Sequence, residues 1–259
     1  MPRHWQRNWV AFQTIVIKEI TRFSRIWVQT ILPSGITTAL YLLIFGGLIG
    51  RRVGEMDGYA YMDYIIPGVI MLAIITNSYG NVVSSFYGTK FQRHIEEMLV
   101  APVPNWLIVA GYVTGGVARG LVVGLLVTIV ASLFTELSVA NPLMTLLIAI
   151  LTATVFSLGG FLNALFARSF DDISIVPTFV LTPLTYLGGV FYSITLLDPF
   201  WQGASLANPI LYMVNAFRYG FLGVSDIPVV VALVIILGFI AVLGTAALML
   251  LNRGVGVKS

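Results

Sequence analysis

Six apolar runs, each closed off by a polar connection, decide what this chain can become: Trp27 to Ile49, Tyr59 to Phe86, Trp106 to Phe134, Leu143 to Phe166, Ile173 to Leu197 and Pro228 to Leu251. Each meets the requirement of about 20 mainly apolar residues for a helix that crosses the hydrocarbon core of a bilayer. Only 10% of the residues are charged, against roughly 25% in an average soluble domain, and so little charge cannot cover a water-facing surface. The expected fold is all-α and integral to the membrane, with six transmembrane helices in one domain over residues 27–251. Cysteine is absent, which excludes disulfide frameworks, thiolate metal sites and thiol nucleophiles. The net charge of +3 is too small to point to nucleic acid.

The position of the charges says more than their sum. With both ends on one side, Arg3, Arg7, Lys18, Arg22, Arg25, Lys90, Arg93, Arg168, Arg253 and Lys258 share a face, and Arg51, Arg52 and Arg218 fall on the other. By the positive-inside rule both termini, including the 252–259 tail, are expected in the cytoplasm. Arg119 is the one full charge inside a run. A basic residue at the bilayer centre costs about 2.5 to 3.5 kcal/mol on an insertion scale, so Arg119 is expected in the inner half, snorkelling or held by carbonyls.

Residues 1–26 carry Trp5, Trp9, Phe12, Val16, Ile20 and Phe23, continued by Trp27, at spacings of three or four, with Lys18, Arg22 and Arg25 on the opposite side. That pattern predicts an amphipathic helix in the headgroup plane, aromatics down and cations up; a helix packed on protein is the alternative. Charges at Arg7, Lys18, Glu19, Arg22 and Arg25 interrupt any signal-peptide core, so no cleavage is expected.

The 87–104 connection is a charged interruption. Phe91, Ile95 and Met98 recur at helical spacing, and Lys90, Gln92, Arg93, Glu96 and Glu97 fill the rest of the turn, which predicts a short amphipathic helix. Pro102 and Pro104 should end it near Val100 and send the chain on extended. The 197–226 connection is too polar for a span yet rich in aromatics, and reads as a pair of short re-entrant helices dipping back from the outer face, broken at Asn208–Pro209. Glycine pairs at 46/47, 115/116, 159/160 and 188/189 are expected at close helix contacts.

Two runs carry polar stripes. Asn77, Asn81 and Ser85 recur every four residues in the second, and Thr178, Thr182 and Thr185 at four and three in the fifth. Polar groups in hydrocarbon need partners, so the stripes face protein or a wet cavity. They serve either as interhelical hydrogen bonds or as the lining of a pathway between two protomers, with Phe179, Tyr186 and Phe191 as apolar constrictions toward the outer side. A lining without fixed charge suits a bulky amphiphilic or glycan substrate better than a small ion.

Catalytic chemistry has little to work with. His4 and His94 lie outside the runs, and HExxH, GxSxG, GxxxxGK[ST] and paired intramembrane carboxylates are missing; the chain is not expected to be an enzyme. An ion-coupled secondary transporter usually places an acid within a span, whereas Asp63, Asp171 and Asp172 sit at run ends. A secondary carrier or a channel remains the alternative to a permease that draws its energy from another polypeptide.

The order of elements carries a family resemblance. An N-terminal interfacial helix, six spans, HIEEMLVAPVP between the second and third, and NPILYMVNAFRYGFLG before the last resemble the permease subunit of ABC-2 type (type V) exporters over essentially the whole chain, most closely the small stand-alone bacterial inner-membrane transport permeases. The resemblance implies a homodimer with two copies of a separate ATP-binding cassette ATPase, which would bind the ATP and Mg while this chain binds no cofactor. It implies that the segment matching Phe91 to Leu99 is a coupling helix seated in the ATPase, with Phe91, Arg93, Ile95, Glu96, Glu97 and Met98 as coupling residues, and that Trp5 to Phe23 also touches it. The first and fifth spans would meet the second protomer, near Val190 at the outer end, and Asn77, Asn81, Ser85, Thr178, Thr182, Thr185 and Tyr186 would line the path. Nothing in the sequence chooses among drugs, polysaccharides and lipid-linked glycans as substrate.

Overall fold

The structure is a computed structural model that describes residues 2–256. Lys258 and the side chain of Arg3, both used in the orientation argument, lie outside the described residues. Helix α1 (Pro2–Arg25) leads into α2 (Trp27–Val53), a two-stranded hairpin of β1 (Glu55–Met56) and β2 (Tyr59–Ala60), and α3 (Tyr61–Phe91). Then come α4 (His94–Val100), α5 (Asn105–Ala131), α6 (Pro142–Phe166) and α7 (172–186), followed by α8 (Pro199–Leu206), α9 (Pro209–Leu222) and α10 (Val229–Asn252). Helices α2, α3, α5, α6 and α10 are long and apolar enough to cross a membrane. The hairpin turns through Asp57 and Gly58, both at positive φ, the geometry that suits the right-handed twist of paired strands.

Helix α3 is the axis of the bundle. Its 31 residues reach about 46 Å at 1.5 Å each, more than the roughly 30 Å hydrocarbon core, and α5, α6 and α9 pack around it. Lipid is as apolar as leucine, so these helices associate through close packing and polar contacts rather than through exclusion of water. Gly160 of α6 lets the α3 backbone in: a Cβ there would lie 2.6 Å from the Tyr79 carbonyl oxygen. Gly116 of α5 does the same, with a Cβ there 3.0 Å from the Ser78 carbonyl oxygen and 2.5 Å from the Val82 side chain. The expectation of close contact does not hold at every glycine, since Gly47 faces open space.

The fifth apolar run, expected as a helix over 173–197, is continuously helical only as far as Tyr186, with one 3-10 turn at Ile194–Leu196 beyond it. Its three pieces of five residues each make about 22 Å, short of the hydrocarbon thickness. Two prolines and two glycines explain this. Pro177 has no N–H for the Ile173 carbonyl, and the Asn163 side chain donates to that oxygen instead at 3.2 Å. Pro183 cannot bond Phe179, and the turn before it, Pro177–Leu181, widens into a π-helix. Gly189 then takes φ +68° and turns the chain.

Beyond that turn the 197–226 segment is two helices, α8 and α9, separated at Ala207–Asn208 as the Asn-Pro pair predicts. Asn208 caps α9 through its side-chain oxygen, which accepts from the Ile210 N–H, and donates to the Leu184 carbonyl of α7 at 2.6 Å. Helix α9 is buried along most of its length. Arg218, counted above among the outer-face charges, is 1% exposed: it donates to the Gly189 carbonyl at 2.6 Å and lies 4.1 Å over the Tyr64 ring. A cation shared between a carbonyl and an aromatic face holds the 187–193 turn against the core. Val190 corrects a second expectation, because its backbone packs on Gly68 and it is fully buried, so it offers no surface to a second protomer.

Candidate functional site

A cleft of about 520 Å³ bounded by α2, α3 and α7 could hold a solute. Thr178, Thr182, Thr185 and Tyr186 all line it, so the α7 stripe read from the sequence is brought together on one wall. The opposite walls come from residues the sequence reading passed over: Ser34, Thr37, Thr38 and Tyr41 on α2, and Thr76 and Tyr79 on α3. The α2 residues recur at three and four, a stripe as regular as the two singled out, which was the available signal. Every lining side chain is uncharged.

Several of the hydroxyl protons are already committed. Thr76 donates to Leu72 O, Thr182 to Pro177 O and Thr185 to Thr182 O, at 2.8 to 2.9 Å, the back-bonding that threonine uses inside a helix. Each oxygen keeps lone pairs to offer a solute. At one end of the cleft Phe191 stacks on Phe45 at 4.8 Å and meets Tyr41 edge-on at 5.7 Å. Of the three expected constrictions, Phe191 is thus held in an aromatic cluster, while Phe179 and Tyr186 are 73% and 55% exposed.

The α3 stripe of Asn77, Asn81 and Ser85 does not line the cleft. All three side chains are buried: Asn81 and Ser85 bond to α1, and Asn77 bonds to α2 and α5. Ser85 donates to Glu19 Oε1, Asn81 donates to Glu19 Oε2 at 3.4 Å, and Arg22 donates to Asn81 Oδ1 at 2.8 Å and to its carbonyl at 2.9 Å. Arg22 also lies 3.4 Å from Glu19, an ion pair one turn apart. Asn77 accepts from Arg119 at 3.1 Å, and Arg119 donates again to the Thr30 carbonyl. Arg119 is therefore held by a carbonyl and an amide, as one of its two expectations had it.

This network corrects the reading of α1. Lys18 and Arg22 do not simply point away from the bundle, since Lys18 reaches Thr89 at 3.3 Å and Tyr112 at 3.5 Å. The face of α1 turned to α5 is Ile15, Glu19 and Phe23, all buried, while Trp5 and Trp9 stay exposed. Gly111 and Gly115 make room, because a Cβ on either would come within 2.5 Å of Ile15 or Glu19. Glu19 is fully buried yet has three polar partners, Ser85, Asn81 and Arg22, which is what a buried carboxylate needs.

At the far end of α3 the charged connection folds as one exposed helix, though it starts later than predicted. Phe91 is the last residue of α3, Arg93 takes a left-handed conformation at φ +61°, and α4 begins at His94. It ends at Val100 and Ala101 is extended, as the prolines dictate. Ile95 is buried and Met98 lies 3.9 Å from the Tyr112 hydroxyl, whereas Arg93, Glu96 and Glu97 are exposed. Phe91 does not continue the Ile95 stripe: it is 63% exposed and packs on Phe170 at 5.0 Å. Lys90 turns inward to cap α6, donating to Leu165 O at 2.8 Å and Ala167 O at 2.6 Å. Beside α4 lies a groove of about 530 Å³ rimmed by Arg93, Glu96 and Arg168.

Comparison with known proteins agrees with this architecture. The family described as ABC-2 type transporter matches residues 10–222. The chain is 58% identical over 251 residues to the inner membrane transport permease YadH of Escherichia coli strain K12, covering 97% of this chain and 98% of that protein. It is 23% identical over 220 residues to nodulation protein J of Rhizobium leguminosarum bv. viciae, covering 85% of this chain and 81% of that one.

Proposed function

The chain belongs to the ABC-2 type transporter family, and from that premise we propose that it is the permease subunit of an ATP-driven exporter in a bacterial inner membrane, working as a homodimer with a separate ATP-binding cassette ATPase on each protomer. ATP and Mg then belong to the ATPase. The observation that carries the reading is the division of α4: Ile95 is anchored in the bundle, and Arg93, Glu96 and Glu97 are presented outward beside a charged groove. A helix so anchored passes a push from outside directly to α3 and α5. Helix α1 adds a second lever, since Glu19 and Arg22 tie it to Asn81 and Ser85. In this arrangement both termini are cytoplasmic, α1 lies at the inner interface with Trp5 and Trp9 toward lipid, and α8 and α9 dip back from the outer face. The sixth crossing is completed by α7 together with the turn anchored by Arg218. The α2/α3/α7 cleft is one protomer's share of the path, with Thr178, Thr182, Thr185 and Tyr186 on its wall.

The test is charge reversal at Glu96→Lys with Glu97→Lys, made together because single rim charges contribute weakly. The double variant is expected to insert normally, to lose co-purification with the ATPase and to lose export. Normal co-purification with normal export overturns the assignment.

One observation bears on the ion-coupled alternative. Glu19 is a fully buried carboxylate, the kind of group the apolar runs lacked. Its pairing with Arg22 and its place between helices fit a fixed structural ion rather than a proton carrier, and export from ATP-free vesicles driven by a proton gradient would reverse that choice.

A further inference from the structure

The 187–194 turn closes one end of the cleft with Phe191, and side chains from three other parts of the chain hold it there. Tyr61 of α3 donates to the Phe191 carbonyl at 3.0 Å. Arg218 of α9 donates to the Gly189 carbonyl at 2.6 Å. Asp226, between α9 and α10, accepts from the Ser193 hydroxyl at 2.9 Å and from the Ile194 N–H at 3.4 Å.

Two of these grips are opposite charges that hold the turn and not each other. Arg218 is 1% exposed, yet its Nε and Nη1 have no acceptor among the described residues, and the Tyr64 hydroxyl beside it has no partner there either. Unmade N–H groups on a buried guanidinium are costly and call for a reason. Asp226 supplies one. Its backbone N–H donates to Asn215 Oδ1 at 2.9 Å, Asn215 lies one turn before Arg218 on the same face of α9, and the charge of Asp226, with that of Asp57 in the hairpin, acts on Arg218. When the turn moves away, Gly189, Ser193 and Ile194 leave with it. The freed carboxylate then matches the idle fork of the guanidinium, the arrangement of a bidentate ion pair, so neither charge is stranded.

We propose that Arg218 and Asp226 are a two-position latch: apart, they hold the turn over the cleft, and paired with each other they hold it released. A plain brace has only the first position. The bearing on transport rests on the reading of the cleft as part of the path.

The test uses the full chain in nanodiscs. The chain has no cysteine, so Val190→Cys serves as reporter, Val190 being 1% exposed with its backbone against Gly68 in the closed turn. The rate at which a water-soluble maleimide labels it tracks the released fraction. Ser193→Ala removes a partner that only the closed position uses, and should speed labelling about tenfold, the effect of one lost hydrogen bond to a charged group. Asp226→Asn keeps an oxygen for Ser193 and gives up only the longer contact to Ile194, but it removes the charge that pairs with Arg218, so labelling should slow about threefold to tenfold. A brace predicts faster labelling in both. Arg218→Lys keeps a donor for Gly189 without the fork; it should slow labelling as Asp226→Asn does, and it carries the test if Asp226→Asn fails to fold. Faster labelling in Asp226→Asn and Arg218→Lys, or an unchanged rate in all three variants, overturns the latch. A second reporter, Thr185→Cys on the cleft wall, separates the two readings. It should gain labelling in Ser193→Ala along with Val190→Cys. If only Val190→Cys responds while Asp226→Asn is slower, the latch stands and its place on the path falls; if both reporters respond while Asp226→Asn is no slower, the turn still covers the path and the latch falls.

Discussion

Adding one methyl group at Gly160 should loosen the bundle, and adding it one residue earlier should not. A Cβ on Gly160 would stand 2.6 Å from the Tyr79 carbonyl oxygen and 3.3 Å from the Val83 nitrogen, both of them backbone of α3. A relaxed carbon–oxygen contact needs about 3.3 Å, so α3 and α6 must part by about 0.7 Å. No side chain can rotate away to absorb this. A gap of 0.5 to 1 Å forfeits roughly a quarter to a half of the dispersion well at each contact it opens, and overpacking of this kind costs about 1 to 3 kcal/mol. At Gly159 the nearest atoms are Tyr79 ring carbons at 3.8 Å, ordinary contact, and alanine there gains up to about 1 kcal/mol of helix propensity. The assay is thermal unfolding of the two variants, purified and in the same nanodiscs, followed by the loss of helical circular dichroism. Gly160→Ala is expected to unfold several degrees below the parent and Gly159→Ala at or above it. Equal midpoints for the two would refute the claim that backbone-to-backbone approach at α3 and α6 holds the core together.

Three further outcomes follow from the site. Glu19→Leu leaves Ser85, Asn81 and the half-buried Arg22 without their carboxylate, each lost partner costing about 1 to 3 kcal/mol, so α1 should detach from α5 and become protease-sensitive while α2 to α10 stay folded; intact protection refutes the tie. Thr182→Trp should block export without lowering the unfolding temperature, because Thr182 is exposed to the cleft, whereas Asn81→Trp should lower it, because Asn81 is fully buried; the reverse pattern in melting curves would mean that the walls are misassigned. On the dimer reading, Phe179→Cys should crosslink to its copy in native membranes and Val190→Cys should not, since Phe179 is 73% exposed and Val190 is 1%; efficient crosslinking through Val190 alone would sink it.

The spans were legible because a membrane segment must be apolar over its whole length, and that condition is met or failed locally, residue by residue. The end of α4 at Val100 and the break before Pro209 were legible for the same kind of reason: proline acts on its own neighbours. Where two effects competed inside one run, composition gave the wrong answer, and the fifth stretch, apolar throughout, stops at Tyr186 because Pro183, Gly188 and Gly189 outweigh its hydropathy.

Periodicity showed that Asn77, Asn81 and Ser85 share a face and that Thr178, Thr182 and Thr185 share another. It could not show what each face meets. A stripe of buried polar groups needs partners, and whether those partners are water, a solute or another helix depends on which element packs alongside. Glu19 and Arg22 lie about 60 residues from Asn81 in sequence and reach it only because Gly111 and Gly115 let α1 settle onto α5. That docking turned one stripe into an internal bond network and left the other open, joined by Ser34, Thr37 and Thr38 from a helix whose own pattern had looked like part of an apolar run. Local chemistry fixes which groups demand a partner; only the packing of distant helices supplies one.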